Sequence, residues 1–207
     1  MLGDGPVKGL HASTIPHLPK PFMSLWVGEH RQLAIVTPNL LSRRTRMTEP
    51  TPTPEAALHR QWAIDLFNAT WEYMDNPHRS PTDDTQMIHM AHASRYHWGV
   101  VGTPLNLARG EWQISRVYAL VSRWEPSLYH ATASLHWCLD NNLGPFDWGF
   151  AYEALARSYA LHGDHTKRDR YLELALQVAQ TVDDEADRDW LRKNIESVMS
   201  LSIPPWE

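Results

Sequence analysis

One pattern limits this chain more than any other. From residue 53 onward, a small polar residue followed by proline recurs at short, regular intervals. Thr53-Pro54, Ser80-Pro81 and Thr103-Pro104 carry it in full, and Glu125-Pro126 and Gly144-Pro145 are weaker forms. Proline suits the first turn of a helix, where its missing N–H has no partner to lose, and Ser or Thr just before it caps that turn. Asp164 after Gly163 adds a stop-then-start signal, and Thr181 with Asp184 has capping-box spacing. These signals predict seven helices, over 54–76, 81–100, 104–122, 126–142, 146–162, 165–181 and 184–200. Connections this short place neighbouring helices antiparallel, as hairpins. Leu, Ala, Glu and Arg dominate the last two thirds while Val/Ile/Thr runs are scarce, so the fold class is all-α.

An internal repeat agrees. Residues 115–135 (SRVYALVSRWEPSLYHATASL) align without gaps on 156–176 (ARSYALHGDHTKRDRYLELAL), an offset of 41. Arg116, Tyr118, Ala119 and Leu120 fall on Arg157, Tyr159, Ala160 and Leu161, and Leu135 falls on Leu176. Within the second copy, Leu155-Ala156, Tyr159, Gly163-Asp164, Leu172 and Ala175 sit where two close-packed helices need small residues, fillers and a turn. On these residues the chain resembles the tetratricopeptide repeat (TPR) family. The unit at 108–142 keeps Trp112 and Tyr118 but has Ser122-Arg123 at the turn and Ser127 and Ser134 in place of alanines; the unit at 55–100 is looser. The segments HASRYHW and RGEWQISRVYA are also similar to those of uncharacterised bacterial TPR-like proteins. The resemblance implies a short superhelix of stacked hairpins. The seventh helix then serves as a cap, with Trp190, Ile195, Val198 and Met199 inward and Asp189, Arg192, Lys193 and Glu196 toward water.

Residues 1–53 read differently. They form an irregular extension and Pro/Thr linker without helical period, and MTEPTPTPEAAL suggests a start at Met47, ahead of a helical domain at 54–207. The formal charge of −5 divides into +4 over residues 1–46 and −9 beyond them. An acidic body argues against nucleic acid or an anionic membrane as partner, since both need a basic face. No apolar run nears the ~20 residues that span a bilayer. The single cysteine, Cys138, leaves no intrachain disulfide and no cysteine-based zinc site. A cytoplasmic bacterial protein without cofactor is the expectation.

The resemblance places the first helix of each pair along a concave groove. Carried onto this chain, that gives Arg109, Trp112 and Arg116 on the third helix and Phe150, Glu153 and Arg157 on the fifth. Each set has i, i+3, i+7 spacing, which puts its members on one face. Guanidiniums match carboxylates or phosphates and Trp offers a flat apolar wall. The groove reading suits a protein or peptide partner bearing an acidic group. The competing reading has Glu153 neutralise Arg157, with Glu111 and other carboxylates neutralising the rest. Arg116 is expected at the surface, so Arg116→Glu should remove partner capture and spare helicity.

HMAHASRYHW, residues 89–98, is the other rich segment. His89, His92 and Tyr96 share a narrow helical face, with His97 turned away. With no carboxylate between residues 85 and 110, a metal there lacks its usual third ligand. The rings are therefore expected mainly to pack, with His92, Tyr96 and His97 bordering the groove. Walker, dinucleotide, zincin and nucleophile-elbow motifs are absent from the sequence. Trp62, Trp71, Trp98, Trp137 and Trp190 suit the core, and Trp112 and Trp124 partial exposure. The leading expectation is a non-catalytic interaction or scaffold module. The alternative is a helical-bundle enzyme or small-anion sensor, with a pocket between the second and third helices using His92, His97, Arg109 and Glu111. Homodimerisation is a further expectation.

Overall fold

The computed structural model describes residues 53–201. The extension and linker expected before residue 53, including a start at Met47, lie outside the described residues. The described chain is all-helical: α1 Pro54–Met74, α2 Pro81–Val101, α3 Pro104–Leu120, α4 Trp124–Asp140, α5 Pro145–His162, α6 His165–Ala179 and α7 Glu185–Met199.

The helix starts follow the sequence signals. Thr53 accepts from Ala56 N–H, and Ser80 and Thr103 form capping boxes with Asp83 and Asn106. Asp164 caps α6 and Asp184 caps α7. Thr181 instead donates its hydroxyl to the Val178 carbonyl, so the last helix opens at Glu185. Helix α4 begins at Trp124, two residues before the expected start. Pro126 lies inside its first turn, where a missing N–H breaks no helical bond.

The 41-residue repeat survives in three dimensions, down to the turns. After α5, Gly163 has φ 83°. Asp164 N–H donates to the Tyr159 carbonyl at 3.0 Å and Gly163 N–H to Ala160 at 3.1 Å. Forty-one residues earlier, Ser122 has φ 58°, Arg123 donates to Tyr118 and Ser122 to Ala119. Both are the left-handed helix stop in which two orphan carbonyls are satisfied. Ser122 makes it with a side chain in a region that glycine occupies more easily.

Within each hairpin the helices run antiparallel and close. Serines mark the closest approaches, because a hydroxyl is small and can donate to a carbonyl on the facing helix. Ser94 donates to Ala63 O across α1/α2 and Ser134 to Ala108 O across α3/α4. The Ser115, Ser127 and Ser158 hydroxyls link α3, α4 and α5. Ser127 and Ser134, found where the repeat family has alanine, thus add bonds without adding bulk.

Helices α1, α3, α5 and α7 form one row. Gln113 of α3 donates to the Phe67 carbonyl of α1, and α7 lies against α5. That last contact is tight. A Cβ added to Gly149 would meet Leu191 Cδ2 at 2.3 Å. Trp190, Leu191, Ile195 and Val198 are buried, while Asp189, Arg192, Lys193 and Glu196 face water, as a polar cap requires. Met199, expected inward, is 60% exposed at the last residue of α7.

Candidate functional site

The row of first helices brings the six strip residues together. Phe67 and Trp71 of α1 lead to Trp112 of α3, whose ring centroid lies 5.8 Å from Trp71 and 5.5 Å from Phe150 of α5. Phe146 continues the strip 4.9 Å from Phe150. The Arg109 guanidinium lies over Phe146 at 5.8 Å and makes a two-pronged ion pair with Asp147, at 2.6 and 3.2 Å.

One turn along, Glu153 Oε1 accepts from Arg116 Nη1 at 3.3 Å and from Arg157 Nε at 2.8 Å, with a further bond from Arg157 Nη2. Arg157 Nη2 also reaches Ser197 Oγ at 2.7 Å and the Asn194 carbonyl at 3.2 Å, tying α5 to α7. Burial first, and the positive charge of Arg157 second, pull the Arg116 pKa down to about 9, against the opposing pull of Glu153 and Asp75. The guanidinium therefore stays charged at neutral pH.

Exposure corrects two expectations. Arg116 is 3% exposed and not a surface position, and Trp112, expected to be partly exposed, is 2% exposed. Arg109, Phe150, Glu153 and Arg157 are buried too. The reason is the row itself: Trp112 lies between Trp71 of α1 and Phe150 of α5, Arg116 lies against Glu153, and α7 packs on α5. The mutual-neutralisation reading holds for Glu153 with Arg157, and Glu153 serves Arg116 as well. Glu111 pairs elsewhere. Between Arg109, Trp112, Phe150, Asp147, Ser134 and Cys138 only about 10 Å³ is open, close to the room one water needs.

The histidine-rich stretch divides between two sides of α2. On one side His92 Nε2 lies 3.0 Å from Tyr118 Oη, and its ring is 5.3 Å from His130. His130 Nδ1 is 2.6 Å from Glu111 Oε2, and Arg95 Nε donates to Glu111 Oε1 at 2.8 Å. Burial, then His130, lowers the His92 pKa below its ordinary value. For Glu111, burial pushes the pKa up, but hydrogen bonds and charge from His130 and Arg95 outweigh it and the net shift is down. Local spacing does not single out His130. The repeat held the signal: His130 aligns on Tyr171, and Tyr118 stacks on His130 (12° between planes) as Tyr159 stacks on Tyr171 (4°). Of the four residues assigned to a pocket between α2 and α3, His92 and Glu111 share this network. Arg109 pairs with Asp147 and His97 faces α1.

On the other side of α2, His97 and Tyr96 meet His59 and Trp62 of α1. His59 and His97 place their Nδ1 atoms 2.9 Å apart, and the His97 ring lies 5.3 Å from both Trp62 and Tyr96. Trp62 is 46% and Tyr96 65% exposed, and Leu58 and Val100, one turn away on each helix, are also exposed. Trp62 was expected in the core. It stands instead on the outer face of the first hairpin, where no described helix covers it. Trp71, Trp98 and Trp190 are buried as expected, and Trp124 and Trp137 are half-buried.

Among the described residues, no group of three or more His, Cys, Asp or Glu side chains is placed to hold a metal ion, and no helix is long and apolar enough to cross a membrane. No protein-family model, no curated protein and no solved structure matches the chain.

Proposed function

We propose that this chain is a non-catalytic, TPR-like interaction module of the cytoplasm, whose partner contact is the outer face of the first hairpin. The observation that carries this reading is the cluster of Leu58, Trp62, Tyr96 and Val100, four large apolar side chains left about half exposed or more on two adjacent helices. Contiguous exposed apolar surface with aromatic rings is characteristic of protein contact sites. Its shape indicates the occupant. Elsewhere in the row, the face between two antiparallel helices is covered by a further helix, as α3 covers α1/α2 and α7 covers α5. The fitting partner is therefore an amphipathic helix of another protein, its apolar stripe lying on Trp62 and Tyr96. The strip from Arg109 to Arg157 then acts as an internal spine: its charges are engaged with Asp147 and Glu153, and it holds the register on which the outer face depends.

The test compares affinity capture from native extract by wild type, Trp62→Glu, Tyr96→Glu and, as a control on α6, Arg170→Glu. Surface changes of this kind alter stability by only about 0.5 kcal/mol, so helicity and melting should be preserved in all four. The reading expects a partner retained by wild type and Arg170→Glu but lost from the other two. The purified partner should then slow amide exchange at 58–62 and 96–100. Undiminished capture by both face variants sinks it.

A further inference from the structure

We infer that His59 and His97 form a two-histidine chelate for a divalent first-row transition metal ion, with Cu2+ bound most tightly. The two imidazoles come from different helices, α1 and α2, and their Nδ1 atoms are 2.9 Å apart with ring planes inclined at 60°. Metal–imidazole bonds are about 2.0–2.1 Å, so two nitrogens bound at a right angle lie about 2.9 Å apart, and at a tetrahedral angle about 3.3 Å apart. The 2.9 Å spacing, which a hydrogen bond between the rings holds in the metal-free state, is within a few tenths of an ångström of either arrangement. The general affinity series then places Cu2+ above both Ni2+ and Zn2+.

The backbone beneath is rigid. Ser94 of α2 bonds to Ala63 O of α1, one turn from each ligand, and fixes the distance between the helices. In the metal-free state one Nδ1 carries a proton and donates it to the other. On binding, that imidazole moves its proton to Nε2, both Nδ1 lone pairs turn to the ion, and no net proton leaves a neutral pair. The chelate has only two protein donors, so water or a donor from outside the chain completes the coordination. Both rings are only partly buried, which leaves that side open.

Trp62 supplies a reporter, since its ring lies 5.3 Å from His97 and 5.9 Å from His59. Open-shell Cu2+ quenches indole emission at contact range. The experiment titrates CuCl2 and NiCl2 into the full chain at neutral pH, by calorimetry and tryptophan fluorescence, for wild type, His59→Gln, His97→Gln, the double variant and Trp62→Phe. Circular dichroism confirms that each is folded. The expected result is saturable uptake in wild type with quenching that disappears in Trp62→Phe, and affinity more than about tenfold weaker in each glutamine variant, since losing a ligand costs at least as much as losing its supporting contacts. His89→Gln, on the other face of α2, should leave the titration unchanged. Equal affinity and equal Trp62 quenching in the double variant, or no uptake by wild type, overturns the assignment.

Discussion

Replacing Glu153 by glutamine removes the buried carboxylate that bonds to both Arg116 and Arg157. Glu153 is fully buried, and Arg116 and Arg157 are 3% and 6% exposed. Glutamine keeps the shape but turns a cluster of net charge +1 into one of +2. Removing one partner of a buried ion pair costs about 3–5 kcal/mol, because the remaining charge stays out of water without compensation. For a domain of this size each kcal/mol moves the midpoint by about 2–4 °C, so the expected fall in Tm is roughly 12 °C. Arg116→Met acts in the opposite electrostatic direction. It removes the group that burial and Arg157 already disfavour in charged form, and it leaves the Glu153–Arg157 pair intact one turn apart on α5. Its cost should be smaller than that of Glu153→Gln, because Glu153 keeps Arg157 as a charged partner. In the double variant the excess buried charge drops again, so the combined loss should be smaller than the sum of the two single losses. Urea unfolding followed by circular dichroism measures all three. Additivity within about 0.5 kcal/mol, or a larger loss for Arg116→Met than for Glu153→Gln, refutes the reasoning. An acidic side chain at 116 would place two carboxylates in the same buried space. That change should unfold the domain, contrary to the expectation of spared helicity drawn from a surface position.

Gly149→Ala should loosen the cap, because its methyl group displaces the fully buried Leu191 side chain. Overpacking of this kind costs about 1–3 kcal/mol, visible as faster amide exchange across 185–199 before global unfolding. Cys138 is fully buried, and burial followed by Asp147 pushes its thiol pKa up to about 12. An aromatic disulfide reagent should leave it unmodified in native protein at pH 8 and react fully in urea; rapid native labelling would contradict its placement. For His92, folding lowers the pKa from the ordinary 6.5, through burial and then His130. Below pH 6.5 the unfolded chain takes up a proton that the folded chain still refuses, so stability should fall as pH drops from about 6.5, the linkage sign of a histidine whose folded pKa is depressed. Glu111 is depressed in the fold, so its contribution persists above its ordinary value of 4.5 and is lost only at lower pH, as pH falls through its folded pKa. His92→Gln should flatten the slope of unfolding free energy between pH 7 and pH 5.5; an unchanged slope assigns it to other groups.

How far this fold is legible in its sequence depends on whether a signal is local. Helix starts depend on one or two residues and the turn they cap, and Thr53, Ser80 and Thr103 announced them correctly. The repeat carried more than its small-residue positions suggested, since Ser122 and Gly163 adopt the same stop and His130 and Tyr171 the same stack. Facing was harder. Arg109, Trp112 and Arg116 do lie on one side of α3, as their spacing required. Spacing states only that residues share a side. What covers that side is decided by where α1 and α5 lie and by how α7 crosses α5 at Gly149 and Leu191, all far from α3 in sequence. A lone glycine in α5 has no local signature that distinguishes a close helix crossing from a neutral substitution. The same limit explains Trp62. Its size argued for the core, but a residue on the outer face of the first hairpin is buried only if something else packs there. Trp62 and Tyr96 expose large apolar rings to water beside two converging imidazoles, whereas the charges of the arginine strip already face one another or Asp147. That contrast is why the partner contact proposed above is the outer face of the first hairpin and not the strip.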